Sequence, residues 1–323
     1  MRPSLLTIGL IGACATPPEE CAAPEIEVSP ADGVNDAFIL DPVTARLDPP
    51  MADAQLAVEG VAGVSSVDAE GVVTFTPDGP LEPLTAYTAT LSWCDASTSW
   101  TFMTSALGMP LDEPEALDGA VFRVQPWDAE WIEPANANGV VTLLGEPTAF
   151  LLRVDFLGDN ALGFTAGVAD PDAEDAQDLC LPTAALPDAA LVGAIFSAPA
   201  GGGTVDAELD WGGAPLPIDG LRFDGVFTAD GGAWARGSLA GELQVSGLAT
   251  ALGEVELGEA EVCSQLAGFG VDCQPCTSGE GQCLPFHLER VSAERVGAAF
   301  AEVDVRGCDP GCPEAADNPE CEG

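Results

Sequence analysis

Eleven cysteines give this 323-residue chain its widest choice of chemistry. Two groups of them have spacings that occur at zinc sites, because thiolates are natural zinc ligands. These groups are Cys273-x-x-Cys276 with Cys283, and Cys308-x-x-x-Cys312 with Cys321. In an oxidising compartment the same thiols form disulfides instead. The choice between zinc and disulfides therefore depends on where the protein resides.

Carboxylates offer a second chemistry, since the chain has 53 acidic residues against nine basic ones and a formal net charge of −44. One acidic run places carboxylates at the first, third, fifth and ninth positions of a calcium loop, namely Asp170, Asp172, Glu174 and Asp178. Asp175 and Leu181 stand where such a loop needs Gly and Glu, so we expect an ordinary solvated loop and keep this set as the calcium candidate.

The basic residues narrow the possible functions. All nine are arginine, which excludes a lysine-dependent phosphate loop, and one histidine, His287, cannot build a histidine-rich metal or acid–base site. His287 alternates with Phe286 and Leu288, and we expect it on the solvent side of a strand, because no nucleophile motif accompanies it. The acidic surface would also repel nucleic acid. We therefore predict no catalytic residue, no cofactor and no nucleic-acid partner.

The N-terminus accounts for one cysteine. A short apolar run within residues 1–13 ends in Ile11-Gly12-Ala13, directly before Cys14. This resembles the lipobox of bacterial lipoproteins, which implies removal of a signal peptide, acylation (palmitate) at Cys14 and a membrane anchor. Ala15 stands where an inner-membrane retention signal would have Asp, so the resemblance implies the outer membrane or cell surface. The alternative is a frayed apolar terminus.

Setting Cys14 aside leaves 11 − 1 = 10 cysteines, an even number that favours five disulfides over zinc in an exported protein. The ten are Cys21, Cys94, Cys180, Cys263, Cys273, Cys276, Cys283, Cys308, Cys312 and Cys321. We expect Cys21 to pair with Cys94, and the four from Cys263 to Cys283 to pair among themselves. The three in the tail then need an outside partner, so we expect Cys180 to pair with the tail, at Cys308.

Residues 14–25 are rich in Pro and acidic residues, which predicts a tether. In residues 26–106, apolar and polar side chains then alternate, as in short antiparallel strands. Leu84-Thr85-Ala86-Tyr87, which enters a Thr-rich strand, resembles the tyrosine corner of immunoglobulin-like sandwiches. Together with Ser29-Pro30-Ala31-Asp32-Gly33 and Trp100-Thr101-Phe102, it is similar to the bacterial Ig-like domain first described in S-layer proteins. The resemblance implies a spacer or stalk in which Tyr87 is structural.

A Pro- and acid-rich linker over 107–119 precedes a second part that resembles only uncharacterised secreted modules. Strand patterns recur over 120–262, at 150–156, 162–168, 221–227 and 239–245. Short helices are expected only at about 184–191 and 258–268. Gly225 and Gly241 fall at in-facing positions, which would permit sharp curvature or a bulge. Residues 263–323 are predicted to be a Cys-rich, disulfide-stapled region of the same module.

The sequence thus predicts an all-β protein: an N-terminal Ig-like β-sandwich, then a larger antiparallel β-barrel or bent sandwich with a disulfide-rich C-terminal cap. The expected function is a lipid-anchored, non-enzymatic structural or binding module whose partner is a cell-surface polymer or protein.

Two alternative functions stay open, a carrier of an apolar ligand in the second domain and a carbohydrate-active enzyme with paired carboxylates. A wide apolar lumen would favour the carrier, and two carboxylates that face each other across a cleft would favour the enzyme. An exposed aromatic shelf, such as Trp127 with Trp131 or Trp211, would favour the binding module.

Overall fold

The computed structural model describes residues 23–136, 149–158, 160–211, 214–251, 258–304 and 312. The chain divides into two compact units, with the change from the first to the second between Thr104 and Ser105 and with 82–84 belonging to the second. Among the described residues, no helix has the length and apolar character needed to cross a bilayer.

The first unit has seven short strands. They are β1 (Glu25–Ser29), β2 (Val43–Asp48), β3 (Gln55–Val58), β4 (Gly63–Val67), β5 (Val72–Pro77), β6 (Ala86–Trp93) and β7 (Ala96–Met103). They form two antiparallel sheets with the orders β1-β2-β5-β4 and β3-β6-β7, which is the strand order of a constant-type immunoglobulin sandwich. Alternate side chains such as Ala45, Val73 and Leu91 are fully buried. The predicted Ig-like sandwich is confirmed.

Two residues at the ends of β6 matter for the sequence interpretation. Tyr87 lies at the start of this sixth strand, where tyrosine corners occur, and its ring centroid is 5.7 Å from that of Phe102. Cys94 directly follows the strand, donates its backbone N–H to Asp53 at 2.9 Å and is disulfide-bonded. Its predicted partner Cys21 lies outside the described residues, as do Cys14 and the rest of 1–22.

The second unit begins with a 3-10 turn at Pro114–Leu117, and a second such turn at Pro126–Asp128 separates its first two strands. Its strands are β8 (Val121–Val124), β9 (Glu130–Glu133), β10 (Phe150–Gly158), β11 (Ala161–Asp170), β12 (Ala173–Gln177), β13 (Ala184–Val192), β14 (Ile195–Ala198), β15 (Val205–Trp211), β16 (Ala214–Phe227), β17 (Ala233–Gln244), β18 (Gln274–Pro275) and β19 (Gln282–Val296). The described helices are α1 (Val245–Ala251) and α2 (Glu259–Gly268).

The sheet of the second unit closes on itself. Its main path runs β10-β8-β19-β17-β16-β14-β13-β11, and β11 also pairs with β10, so these eight strands form a ring. Every neighbouring pair in the ring is antiparallel. The other strands attach outside the ring: β12 to β11, β15 to β16, and β9 and β18 to β19. The prediction of a barrel or bent sandwich is confirmed, in its barrel form.

Aromatic rings fill much of the barrel interior. Phe196 is fully buried, and its ring centroid lies 5.4 Å from Phe164, 6.1 Å from Phe223, 5.0 Å from Phe227 and 5.3 Å from Trp234. An eight-stranded barrel has an interior that is just wide enough for side chains to fill it or to hold one small ligand. The volume that this aromatic cluster occupies therefore determines how much of the barrel interior stays open.

Gly225 is required by this ring packing. The register between β16 and β17 shifts between Phe223 and Val226, so a bulge occurs at the glycine as expected. A Cβ atom at position 225 would lie 2.6 Å from Trp234 and 2.7 Å from Phe196, closer than real Cβ atoms come. The missing side chain therefore makes room for two rings as well as for the bulge.

The turn between β16 and β17 is held by Asp230. Its carboxylate accepts the Thr228 hydroxyl at 2.6 Å and the Gly232 N–H at 2.9 Å. These two hydrogen bonds, the first being the stronger, lower the pKa of Asp230. Gly231 between them has a φ of +64°, which glycine adopts without strain. The turn signal in the sequence therefore reflects a local hydrogen-bonded structure.

One helix expectation is confirmed and another is wrong. Helix α2 occupies Glu259–Gly268, within the expected 258–268. Residues 184–191 are not helical but belong to strand β13, because they pair with β11 on one side and β14 on the other. The run expected to end a strand at Val245 also differs, since β17 ends at Gln244 and Val245 begins α1.

Helices α1 and α2 form an apolar cluster, the helical cap, with the neighbouring ends of β16 and β19. Val245 and Leu248 of α1 pack with Val262 and Leu266 of α2, and the cluster includes Leu216 and Leu284. The disulfide Cys263–Cys273 joins α2 to the loop that follows it, and Cys276–Cys283 closes the next loop onto β19. The four central cysteines therefore pair among themselves, as expected.

A third described disulfide joins residues that are far apart in the sequence. Cys180 pairs with Cys312 across a sequence separation of 132. The expectation that Cys180 joins the tail is confirmed, but the choice of Cys308 was wrong. Counting thiols could find the tail but could not choose among its three cysteines.

Residues 297–304, here called the strap, lie on the outer face of β10 and β11. Phe300 packs against Val121, Leu151 and Ala169. The backbone of Ala301 exchanges two hydrogen bonds with the buried amide side chain of Gln177, at 2.8 and 2.9 Å.

Ion pairing also fastens the strap. Arg153 donates to Glu302 at 2.6 Å and to Asp155 at 3.0 Å, and its guanidinium lies 5.4 Å from the centre of the Phe300 ring. The Asp155 hydrogen bond, with help from Glu302, raises the pKa of Arg153. An acidic segment is therefore kept on the barrel by one cation and the Cys180 disulfide.

Candidate functional site

The four acids of the calcium candidate lie along the hairpin of β11 and β12 and just after it. Asp170 ends β11, and its carboxylate accepts the backbone N–H of Asp172 in the following turn at 2.8 Å. Glu174 lies 3.8 Å from Arg123, which is closer to Asp175, at 2.6 Å. Asp178 accepts the backbone N–H of Cys180 at 2.9 Å. Within the described part of the chain these four acids do not come together as a group of ligands. Asp170, Glu174 and Asp178 are instead taken up by different local partners along the hairpin.

His287 lies in β19, where it is half-buried and its Nε2 is 3.8 Å from Glu289 Oε1. Its strand neighbours are Ala240 of β17 and Glu133 of β9. Phe286 and Leu288 on either side are buried, so the imidazole lies on the outer face of the strand. Its surroundings are those of a surface residue with an acidic neighbour.

One described group has the composition of a metal site, with Asp219, Cys276 and Cys283 all buried and their ligand atoms within 4.8 Å of one another. The two sulfur atoms are bonded to each other, which removes the thiolates that zinc needs. Asp219 accepts the Gln244 amide at 2.7 Å and the Ser278 hydroxyl at 2.8 Å. The zinc alternative is therefore wrong for these cysteines, and Asp219 serves as a polar link between the barrel and the disulfide loop.

The barrel contains an apolar cavity of about 80 Å³, here called the lumen cavity. Its wall is formed by β8, β10, β11, β13, β16, β17 and β19, at the end where β8 stops and β10 begins. The wall includes Phe150, Ala166, Leu186, Phe223, Trp234 and Phe286. Ligand pockets for drug-sized molecules measure about 300–1,000 Å³. The lumen cavity is therefore small beside such pockets.

Two of the tryptophans singled out from the sequence form a stacked pair. Trp127 in the turn Pro126–Asp128 and Trp131 in β9 have ring centroids 5.1 Å apart and planes inclined by 19°. Both rings are half-buried, and Ile132 beside them is 43% exposed. The side chain of Trp211, the other candidate, lies outside the described residues. The aromatic shelf is therefore Trp127 with Trp131.

The elements around the pair explain its position. Strand β8 is interrupted by the turn at Pro126–Asp128, and β9 then continues along the same edge of β19, with Trp131 opposite Leu288. The interruption carries Trp127 out of the strand and over Trp131. Three acids on this segment, Asp128, Glu130 and Glu133, are exposed, and Glu130 lies 3.3 Å from Arg290.

The sequence identified the tryptophans and left an apolar lumen open as an alternative, but it could not predict the size of the lumen cavity. Alternation assigned Phe164 and Ala166 to one face of β11, and both are indeed buried. Nothing in that pattern shows whether the facing side chains fill the space between them. A small residue such as Ala166 at an in-facing position was the only signal available.

Comparison with known proteins adds little. No protein-family model matches the chain, and no curated protein matches it. Among solved structures, an LD-transpeptidase in complex with imipenem matches at a TM-score of 0.23 and 15% identity, covering 46% of this chain and 81% of that one. The function therefore has to be argued from the residues of this chain.

Proposed function

We propose that this protein is an exported, lipid-anchored and non-enzymatic module of the cell surface, in which the Ig-like sandwich is a stalk and the barrel domain binds a neutral cell-surface polysaccharide. The stacked Trp127–Trp131 pair is the observation that carries the binding role. A half-exposed indole offers a large, rigid apolar face, and Trp is enriched where proteins bind partners.

The negative charge around the tryptophan pair indicates which kind of polysaccharide can bind there. The exposed carboxylates Asp128, Glu130 and Glu133 next to the pair can only accept hydrogen bonds. Sugar hydroxyls are donors, and the C–H faces of sugar rings are apolar enough to pack on an indole. An anionic polymer would instead be repelled by these acids and by the net charge of −44. A neutral polysaccharide is the surface polymer that satisfies both conditions.

The first test removes one face of the pair. Trp131→Ala should raise the dissociation constant for purified neutral cell-surface polysaccharide by about tenfold or more, as truncation of a central aromatic contact does. Affinity electrophoresis and tryptophan fluorescence measure it. Trp131→Phe is the matched control, because it keeps an aromatic face and should retain most of the binding. Unchanged binding by a folded Trp131→Ala protein would contradict the proposal.

The anchor is tested separately. Cys14→Ser should move the protein from the detergent phase to the aqueous phase on phase partition, because a serine cannot take the thioether lipid. Ala15→Ser is the control and should stay with the membrane. Ala15→Asp should shift the protein from the outer-membrane to the inner-membrane fraction. A Cys14→Ser protein that still fractionates with membranes would refute lipidation at this residue.

A further inference from the structure

The lumen cavity has properties that the proposed polysaccharide surface does not use. It lies between strands of the closed ring and is partly open to solvent, and its surface is entirely apolar. Ser238 is the one hydroxyl residue of the wall. Its hydroxyl already donates to Asp224 at 2.6 Å, and its backbone N–H donates to the same carboxylate at 3.0 Å. The wall residue Trp234 has a buried indole N–H without a hydrogen-bond partner among the described residues, but no polar atom contributes to the surface of the cavity.

Water is a poor occupant of such a space. A volume of about 80 Å³ exceeds several-fold the ~10–15 Å³ that one water requires, but a buried water also needs two to four polar partners. Apolar cavities without such partners stay dry and bind apolar molecules; an engineered one of about 150 Å³ takes benzene or xenon. The apolar wall therefore favours an apolar guest over water.

The wall is preformed rather than assembled by a ligand. Its side chains come from seven strands of one hydrogen-bonded barrel. Phe223 is held edge-on by Phe164 at 5.2 Å and 77°, and Trp234 is held by Phe196 at 5.3 Å and 85°. At position 241, a Cβ atom would approach Ile218 and Phe286 at 3.0 and 3.1 Å, so these two side chains are also tightly placed. Rings fixed in this way offer edges and faces to an aromatic guest.

We propose that the lumen cavity is a binding site for a small, uncharged aromatic group about the size of a benzene ring. Its volume rejects long alkyl chains, and its apolar wall rejects charged or strongly hydrogen-bonding molecules. The aromatic side chains on the wall favour a ring over a linear hydrocarbon of equal volume. Pro126, in the turn that carries Trp127, is part of the cavity wall, but the site does not depend on polysaccharide binding.

Benzene and xenon are the probes that test the proposal. Titration of the full chain, followed by chemical shifts of the methyl groups of Leu186 and Val291 and by xenon-129 NMR, should show saturable binding of both. Benzene should also raise the melting temperature in proportion to its concentration. Absence of saturable binding of both probes to the folded protein would overturn the proposal.

Paired variants separate the cavity from the surface. Ala166→Leu fills the cavity and should raise the dissociation constant for benzene by about tenfold or more. Ala185→Leu makes the same change at an exposed position opposite Thr165 on the neighbouring strand and should leave benzene binding unchanged. If Ala166→Leu does not fold, Leu186→Ala should enlarge the cavity and strengthen toluene binding relative to benzene.

The two proposals fail independently. Trp131→Ala should leave benzene binding intact, and Ala166→Leu should leave polysaccharide binding intact. Benzene binding that is lost in the Trp131→Ala protein, and kept in the Ala166→Leu protein, would place the apolar site at the surface pair and refute the lumen cavity.

Discussion

Replacing Cys180 and Cys312 together by serine should lower the free energy of unfolding by about 5 kcal/mol, because in the chain-entropy model the stabilisation grows with the length of the closed loop. This bond closes the longest described loop, with a sequence separation of 132. The loss should also release the strap, so the amide protons of Ala301 and Val303 should exchange faster. Urea unfolding and hydrogen exchange measure the two effects.

The matched control is the double serine variant of Cys263 and Cys273, whose sequence separation is only 10. The same model gives about 3 kcal/mol for it, and the strap amides should keep their protection because this bond lies in the helical cap. Equal losses for the two variants would show that loop length does not determine the stabilisation. Unchanged exchange at Ala301 would show that hydrogen bonds to Gln177 hold the strap without the disulfide.

Phe196→Ala should cost about 4 kcal/mol of unfolding free energy, within the range for a fully buried phenylalanine. The ring touches four others, so its removal leaves a void that the fixed strands cannot collapse around. The result is measured by urea unfolding. The matched control is Phe269→Ala, because Phe269 is 39% exposed and its removal should cost less than about 1 kcal/mol.

A small loss for Phe196→Ala would contradict a rigid barrel interior. In that case the neighbouring rings of Phe164 and Trp234 would have to move into the space. Near-ultraviolet circular dichroism would detect the movement as a changed tryptophan signal. The same experiment therefore tests the assumption that the lumen cavity is preformed.

Strand positions could be predicted because they depend on local alternation. The runs 150–156 and 162–168 became β10 and β11, since each has apolar residues at every second position and a turn separates them. Closure of the barrel could not be predicted in the same way. It depends on β8 pairing with β19, residues that are far apart in the sequence, as Val124 opposite Ala293 shows.

Helices were harder to predict where pairing with neighbouring strands determines the secondary structure. Residues 184–191 contain four alanines and two leucines, which favour a helix when considered alone. Two partner strands supply their backbone hydrogen bonds instead, and tertiary pairing overrides such a weak preference. Val245 is an example of a helix residue that was predicted as strand. The alternation of apolar residues in β17 continues through Val245, but the chain has already entered α1 there.

The tryptophan pair was predicted in composition but not in geometry. Residues four apart in an extended strand would be some 13 Å from one another at the usual rise per residue. Trp127 and Trp131 stack only because the turn at Pro126–Asp128 shortens the path between them. The stacking of the two tryptophans could therefore not be predicted without knowing that this turn exists.

The seam between β8 and β19 has a consequence for how the protein is made. Chains emerge from synthesis N-terminus first, and the first strand of the barrel must wait for its last one. The sandwich of the first unit has all its strands by Met103, so it can complete its sheets while the barrel strands are still unpaired. Pairings of such long sequence separation form slowly. During that interval β8 and β17 expose the edges that β19 later covers, and a truncated chain that ends before Gln282 would keep them exposed for good.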